Sequence, residues 1–194
     1  AGIRLAMFDK RVCILERHYV PGGLNSYYKR GKRLLDVGLH AMTNFTEQGT
    51  RGKPLTKILK QLRIPYSDFE LAPQKFSKVA FPEQTLKFSN DIELLKSEIA
   101  MFFPMEIDGF EKLIKMIEGF NETALDNPYQ SAKQVVSSYI KNDQLRDMIF
   151  FPLLIYGSAW ENDMDFSQFA IMFKSIFLEG FSRPVGGVRT IIGL

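Results

Sequence analysis

The fold expected of this chain depends on residues 10–16, Lys10-Arg11-Val12-Cys13-Ile14-Leu15-Glu16. The four residues Val12–Leu15 form a short apolar run between charged residues, which is typical of an inner strand of a parallel sheet. Residues 1–9 before it have the pattern of the end of an amphipathic helix. Because a helix followed directly by such a strand is the second half of a βαβ unit, the stretch predicts an α/β fold.

An acidic residue closes the predicted strand, and a glycine pair follows it. Glu16 stands six and seven residues before Gly22 and Gly23. In a dinucleotide-binding fold, a carboxylate at the carboxyl end of the second strand accepts hydrogen bonds from ribose hydroxyls. It stands about 20 residues after the start of a glycine-rich phosphate loop. Since Ala1 is only 15 positions before Glu16, we expect this loop to lie upstream and the sequence to be a piece of a longer protein.

The remaining pattern divides the chain into three parts. Residues 1–52 hold the half-unit and a hairpin, whose arms 25–28 and 34–37 flank the basic turn 29–33. Residues 53–180 are predicted to be mainly helical with a small hairpin, and residues 181–194 to return to the first part. The expected strands of the middle part are 75–81 and 85–88. Its expected helices are 53–62, 90–103, 107–119, 131–140, 143–156 and 165–178.

Composition excludes some classes of function. The chain has 25 Lys and Arg residues against 22 Asp and Glu residues, an excess too small to indicate a nucleic-acid partner. The single cysteine, Cys13, favours a reducing compartment, so we expect a cytoplasmic location and leave membrane association open. Two distant histidines and one cysteine predict no metal site. The oligomeric state is not indicated.

Four segments carry a resemblance to a known family: Ala1-Gly2-Ile3-Arg4-Leu5-Ala6, Lys10-Arg11-Val12-Cys13-Ile14-Leu15-Glu16-Arg17, Pro21-Gly22-Gly23 and Leu35-Asp36-Val37-Gly38-Leu39-His40. Together they resemble the N-terminal FAD region of the phytoene desaturase and retinol saturase group, within the amine-oxidase-like flavoproteins. The resemblance extends more loosely over most of the chain. It implies a partial Rossmann-like FAD-binding domain with an inserted, mainly helical substrate domain.

The resemblance also implies roles for the residues around the adenosine end of FAD. Glu16 would hold the adenosine ribose, and Arg17 would flank the adenine. Gly22 and Gly23 would let the backbone approach the cofactor without a Cβ clash. Leu24 stands where the amine-oxidase relatives usually have Arg, so that cation contact would come from Lys29 or Arg30, or be missing.

A second segment, Gly38-Leu39-His40, would run beside the flavin ring through backbone contacts. There His40 could tune charge or move a proton as a catalytic residue. A histidine between Leu39 and Ala41 could equally be a core residue with its hydrogen bonds satisfied.

Other polar features have simpler explanations. Asp36 is expected to cap a turn, and His18 to be exposed. The turn 29–33 is either a solvated loop or a binding site for acidic lipid headgroups. Glu161, Asp163 and Asp165 lack the pattern of a calcium loop and are expected to be solvated.

By resemblance, the reaction removes or adds hydrogen across a carbon–carbon bond of an isoprenoid or polyene. The 17 phenylalanines form either a core alone or a core with a tunnel for such an apolar small molecule. Two alternatives stay open. One is a FAD-dependent amine oxidase-type enzyme, and the other is a non-catalytic carrier of isoprenoids or lipids.

Overall fold

The computed structural model describes residues 1–38, 41–157 and 162–194. They form two compact units, of which the first is Ala1–Pro73 with Phe181–Leu194 and the second is Gln74–Gly180. The predicted boundary at residue 52 therefore lies inside the first unit. The segment after it belongs there because its helix packs on the N-terminal helix, where the Arg4 guanidinium donates to the Gln61 carbonyl at 3.0 Å. The functions assigned to the parts stay predictions.

The chain alternates short helices with short strands. In order, the elements are α1 (Gly2–Ala6), a 3-10 turn (Gly23–Asn25), β1 (Tyr27–Arg30), β2 (Arg33–Asp36), α2 (Pro54–Leu62), a 3-10 turn (Tyr66–Asp68), β3 (Leu71–Pro73), β4 (Ser77–Ala80), β5 (Thr85–Phe88), α3 (Ile92–Phe102), α4 (Ile107–Gly119), α5 (Ala132–Tyr139), α6 (Asp143–Gly157), α7 (Phe166–Phe173), a π-helical turn (Lys174–Leu178), β6 (Ser182–Pro184) and α8 (Val188–Gly193). Among the described residues, none of these helices could cross a bilayer.

The strands pair as three antiparallel two-stranded sheets, β1–β2, β3–β6 and β4–β5. The β1–β2 sheet confirms the predicted hairpin. Its turn is shorter than predicted, because Arg30 pairs with Arg33 and two residues, Gly31 and Lys32, lie between them. Gly31 has φ 60°, the conformation that a type II′ turn requires at its first central position. The hairpin predicted in the middle part is confirmed as β4–β5.

The strand predicted over Val12–Leu15 is wrong for this structure. These residues belong to no strand and are exposed, with Leu15 91% accessible. A strand forms only when its backbone groups pair with a neighbour, and no residue of the described ranges pairs with this stretch. Val12 and Ile14 instead touch α1, where a Cβ on Gly2 would lie 3.3 Å from Val12 Cγ1. The Rossmann-like fold stays a prediction.

The predicted helices of the middle part are confirmed: the one at 53–62 is α2 of the first unit, and the others lie in the second unit. Two of them begin at side-chain caps: Ser131 accepts the Gln134 N–H at the start of α5, and Asp165 accepts the Ser167 N–H at the start of α7. For α3, Asn90 and Glu93 have the spacing of a capping box in the sequence, which predicts Asn90 as the cap, and this prediction is wrong. Asp91 accepts the Glu93 N–H at 3.0 Å, whereas the Asn90 side chain accepts a hydrogen bond from Gln74.

Phenylalanine rings form the centre of this second unit. Phe169 is fully buried, and its ring centroid lies 4.9 Å from that of Phe150 and 5.8 Å from those of Phe166 and Phe173. These separations are typical of attractive ring pairs. The five rings Phe110, Phe150, Phe169, Phe173 and Phe177 are therefore core residues.

Candidate adenosine site

A cavity in the first unit brings together most of the residues predicted to hold adenosine. Its volume is about 490 Å³, within the range of roughly 300 to 1,000 Å³ typical of small-molecule sites. Glu16, Arg17, Gly23 and Leu24 line it, while Gly22 does not. The sequence thus predicted one wall of this cavity, although the strand from which the prediction started does not form.

The Glu16 carboxylate is oriented by its own backbone turn. One oxygen, Oε1, accepts the backbone N–H of His18 at 2.8 Å. The other, Oε2, lies 3.1 Å from the position that a Cβ on Gly23 would occupy. Since Gly23 has no Cβ, this oxygen is not crowded from that side, and it can accept a further hydrogen bond.

The glycine pair and Gly38 hold the turn in shape. All three have positive φ, at 112° for Gly22, 57° for Gly23 and 66° for Gly38, where side chains other than glycine are strained. A Cβ on Gly38 would lie 2.4 Å from the Leu24 carbonyl oxygen, and one on Gly22 would lie 2.7 Å from Ile192 Cδ1. Gly22 and Gly38 therefore shape the turn from outside the cavity, while Gly23 opens space within it.

Part of the cavity lining consists of aromatic rings that sequence reasoning did not assign. His18, Tyr19, Tyr27 and Tyr28 line the space. The His18 and Tyr19 ring centroids are 4.6 Å apart, and Val20 N–H donates to His18 Nδ1 at 3.2 Å. His18 is exposed, as expected. A signal was present in the sequence, since three tyrosines and a histidine fall within the eleven residues 18–28 around the glycine pair.

The remaining predicted site residues are only partly placed. Leu24 is 87% exposed and borders the cavity. Leu39 and His40 lie outside the described residues, so their predicted contacts with the flavin, and the catalytic role of His40, stay predictions.

Asp36 does not cap a turn but ties the hairpin to the C-terminal segment. Its carboxylate accepts from the Arg183 guanidinium at 2.5 Å, with the Asp36 side chain 3% exposed and that of Arg183 53% exposed. A Cβ on Gly187 would lie 2.7 Å from the same carboxylate. This contact joins the hairpin to the segment 181–194.

The acidic residues Asp163 and Asp165 have structural roles. Asp163 accepts from the Ser131 hydroxyl at 2.6 Å and from the Lys133 N–H at 3.1 Å. Asp165 caps α7 and also accepts the Gln130 N–H. The predicted solvated loop is thus wrong for these two residues, because they hold the start of α5 beside that of α7. Glu161 lies outside the described residues.

A second cavity, in the second unit, has mixed chemistry. Its volume is about 940 Å³, and its walls include Met116, Phe120 and Phe166 as well as Gln130, Gln134 and Asp163. Such walls do not favour a pure hydrocarbon, because amide and carboxylate groups would lose water without gaining hydrogen bonds.

Comparison with known proteins relates the chain distantly to enzymes. The relatives are prolycopene isomerases, described as chloroplastic, and no family model or solved structure matches the chain. Isomerase 2 of an Oncidium hybrid cultivar is 22% identical over 222 residues, covering 98% of this chain and 37% of the relative. The Arabidopsis thaliana enzyme is 22% identical, and the match covers 98% of this chain and 36% of the relative. The Daucus carota enzyme is 29% identical, and the match covers 58% of this chain and 18% of the relative.

The chain therefore spans little more than a third of the length of the curated relatives that it matches from end to end. The predicted relation to enzymes of carotenoid chemistry is confirmed in this coarse form. The specific family, the cofactor and the reaction stay predictions.

Proposed function

We propose that this chain is part of a FAD-dependent enzyme that acts on carbon–carbon bonds of a carotenoid-like polyene, and that it holds the adenosine end of the cofactor. One observation carries the proposal. Glu16, Arg17, Gly23 and Leu24, chosen from the sequence, surround a single cavity of about 490 Å³. The match to prolycopene isomerases over 98% of the chain supports the substrate class.

The residues present fit an adenosine group. A ribose needs a hydrogen-bond acceptor for its hydroxyls, and Glu16, whose Oε2 lies beside Gly23, lines the cavity. An adenine ring needs flat apolar surface or a guanidinium plane, and Tyr19, Tyr27 and Arg17 line the same space. The proposed Rossmann-like fold would place the pyrophosphate outside the residues described.

In this arrangement the chain's own residues bind and orient. The His18 N–H fixes one oxygen of Glu16, so the other is held ready for the ribose with little loss of side-chain entropy on binding. When bound, the flavin would supply hydride exchange at N5. An unactivated polyene gives acid–base residues few atoms to act on, so the protein's main contribution would be to position the substrate against the ring.

The role of Glu16 is tested by titrating FAD and FMN into the protein that contains this chain. FMN lacks the adenosine group. Glu16→Gln keeps an oxygen that can accept the His18 N–H but removes the carboxylate charge. We expect FAD to bind about tenfold more weakly, since a hydrogen bond to a charged group contributes roughly 1.5 to 3 kcal/mol, and FMN binding to stay the same. Equal weakening of both ligands, or of neither, contradicts the ribose role.

The reaction class is tested on the purified protein by absorbance and turnover. Flavin absorbance with conversion of a polyene, and no conversion of amines, is the expected result. Whether the product is desaturated, saturated or isomerised identifies the reaction. Polyene binding without flavin absorbance would instead indicate a carrier, and amine oxidation would indicate the other flavoprotein class.

A further inference from the structure

The tip of the β1–β2 hairpin carries four cations in five residues. Lys29, Arg30, Lys32 and Arg33 are all exposed around Gly31. Within the described ranges, none of their side chains makes an ion pair or a hydrogen bond with another residue. The cluster therefore has no partner of opposite charge in this part of the chain.

The strand register makes this cluster unfavourable in isolation. Arg30 and Arg33 are direct partners across the hairpin, and like charges in that position destabilise a strand pair. The acidic residue of the hairpin, Asp36, is at the opposite end, where its carboxylate is bound to Arg183. An anion between the two arginines would relieve their repulsion.

The arginine pair shares its face of the hairpin with an apolar pair. Tyr28 and Leu35 are partners two positions before the arginine pair in the register, 47% and 36% exposed. Because residues two apart in a strand point to the same face, the face presents a ring and a leucine behind two guanidinium groups. This combination suits a bilayer surface, where tyrosine lies at headgroup level and long cationic side chains reach the phosphates.

The charge of the whole first unit has the same sign. Fifteen of the 25 Lys and Arg residues, but six of the 22 Asp and Glu residues, fall in residues 1–73 and 181–194, for a formal charge of +9. Residues 74–180 carry ten Lys and Arg residues and sixteen Asp and Glu residues, for a formal charge of −6. The modest net charge of +3 thus hides a strongly basic unit, which would attract an anionic surface over about a Debye length.

We propose that the tip of the β1–β2 hairpin docks the protein on an anionic lipid surface. Lipid phosphates lie between Arg30 and Arg33, and Tyr28 and Leu35 rest at headgroup level. The proposal does not depend on the reaction proposed above.

The test is sedimentation of the protein with vesicles of phosphatidylcholine, with and without phosphatidylserine. We expect binding only to the anionic vesicles, and weaker binding at higher salt. The variant Arg30→Gln/Arg33→Gln should bind roughly 30-fold more weakly, from about 1 kcal/mol per basic residue at the surface. The matched control is Lys10→Gln/Arg11→Gln, which removes two exposed cations of the same unit outside the hairpin.

Three results would overturn the proposal. Equal loss in both variants would mean that only net charge matters. Binding to heparin or RNA with no binding to anionic vesicles would identify a different polyanion. In the third result, the hairpin variant loses FAD binding but keeps its vesicle binding. A parallel FAD titration tests for this result, because Tyr28 also lines the candidate adenosine cavity. Circular dichroism of both variants checks that the exposed substitutions leave the fold intact.

Discussion

The two units of this chain maintain their structure by different means. All but four of the buried apolar side chains that the structure describes belong to the second unit, the exceptions being Leu59, Phe69, Phe181 and Val188. The first unit instead exposes apolar residues such as Ile14 and Leu24. Its turns depend on glycines at positive φ and on the Asp36–Arg183 ion pair.

This difference indicates which kind of substitution should destabilise each unit. Packed aromatic side chains stabilise through buried area and dispersion, so the second unit should respond to lost volume. A unit with few buried apolar groups is stabilised by backbone conformation and specific polar contacts. It should respond to an added Cβ or a lost charge.

The largest expected effect removes a ring from the core of the second unit. Phe169→Ala should lower the free energy of unfolding by about 3 to 5 kcal/mol, because it leaves a cavity among three other rings. Urea unfolding measures the loss. Phe76→Ala, at a half-exposed position of the same unit, is the control and should cost under about 1 kcal/mol. Similar losses would remove the contrast between core and surface rings.

In the first unit, we expect a large loss of stability from a substitution that adds a Cβ at a glycine. Gly38→Ala adds a Cβ 2.4 Å from the Leu24 carbonyl oxygen at φ 66°, so the backbone must shift. We expect a loss of about 2 to 3 kcal/mol from combined strain and clash, seen as faster hydrogen exchange in residues 22–38.

Gly31→Ala provides the matched control for that substitution. Gly31 has nearly the same φ, 60°, but nothing lies within 4 Å of its added Cβ. Only the conformational strain of about 1 to 2 kcal/mol applies. Equal exchange rates in the two variants would show that the close approach at Gly38 contributes nothing.

Removing either partner of the Asp36–Arg183 ion pair should lower stability, but by different amounts. Arg183→Gln leaves a carboxylate whose side chain is 3% exposed without its partner, and should cost about 2 kcal/mol. Asp36→Asn leaves only an exposed guanidinium, which water can solvate, and should cost about 1 kcal/mol. A double-mutant cycle by thermal unfolding measures both losses and their coupling. A larger loss for Asp36→Asn would contradict the burial argument.

The smallest expected effect concerns a polar contact in the second unit. Burial by itself would raise the pKa of Glu122, but the hydrogen bond and charge of Lys174 at 2.6 Å outweigh it and hold that pKa below its usual value. The resulting stability, about 1 kcal/mol, is present above the unfolded-state pKa of about 4.3. It is lost as the pH falls through the lower folded-state pKa.

Glu122→Gln should therefore reduce stability at pH 7 and leave it unchanged near pH 3. Urea titrations at several pH values measure this difference. The exposed Glu118→Gln is the control, and it should reduce stability at pH 7 less than Glu122→Gln does. A constant difference for Glu122→Gln would contradict the assigned pKa shift.

Sequence periodicity predicted the second unit well. The helices at 107–119 and 143–156 appear as α4 and α6 within one residue, because their apolar stripes pack on neighbours formed from the same stretch of chain. Capping was less accurate. Asp91 and Asn90 are adjacent and chemically similar, and only the position of Gln74 shows which of them is free to cap α3.

By itself, the sequence determined the amphipathic helices, both hairpins and the choice of Glu16, Arg17, Gly23 and Leu24 as neighbours. Tertiary structure alone decided that Val12–Leu15 forms no strand, that aromatic rings complete the cavity, and that Asp36 binds Arg183 across 147 positions of the chain. The physical reason is range. Helix and turn propensities act between residues a few positions apart, whereas strand pairing, ring packing and ion pairs depend on which distant segments meet.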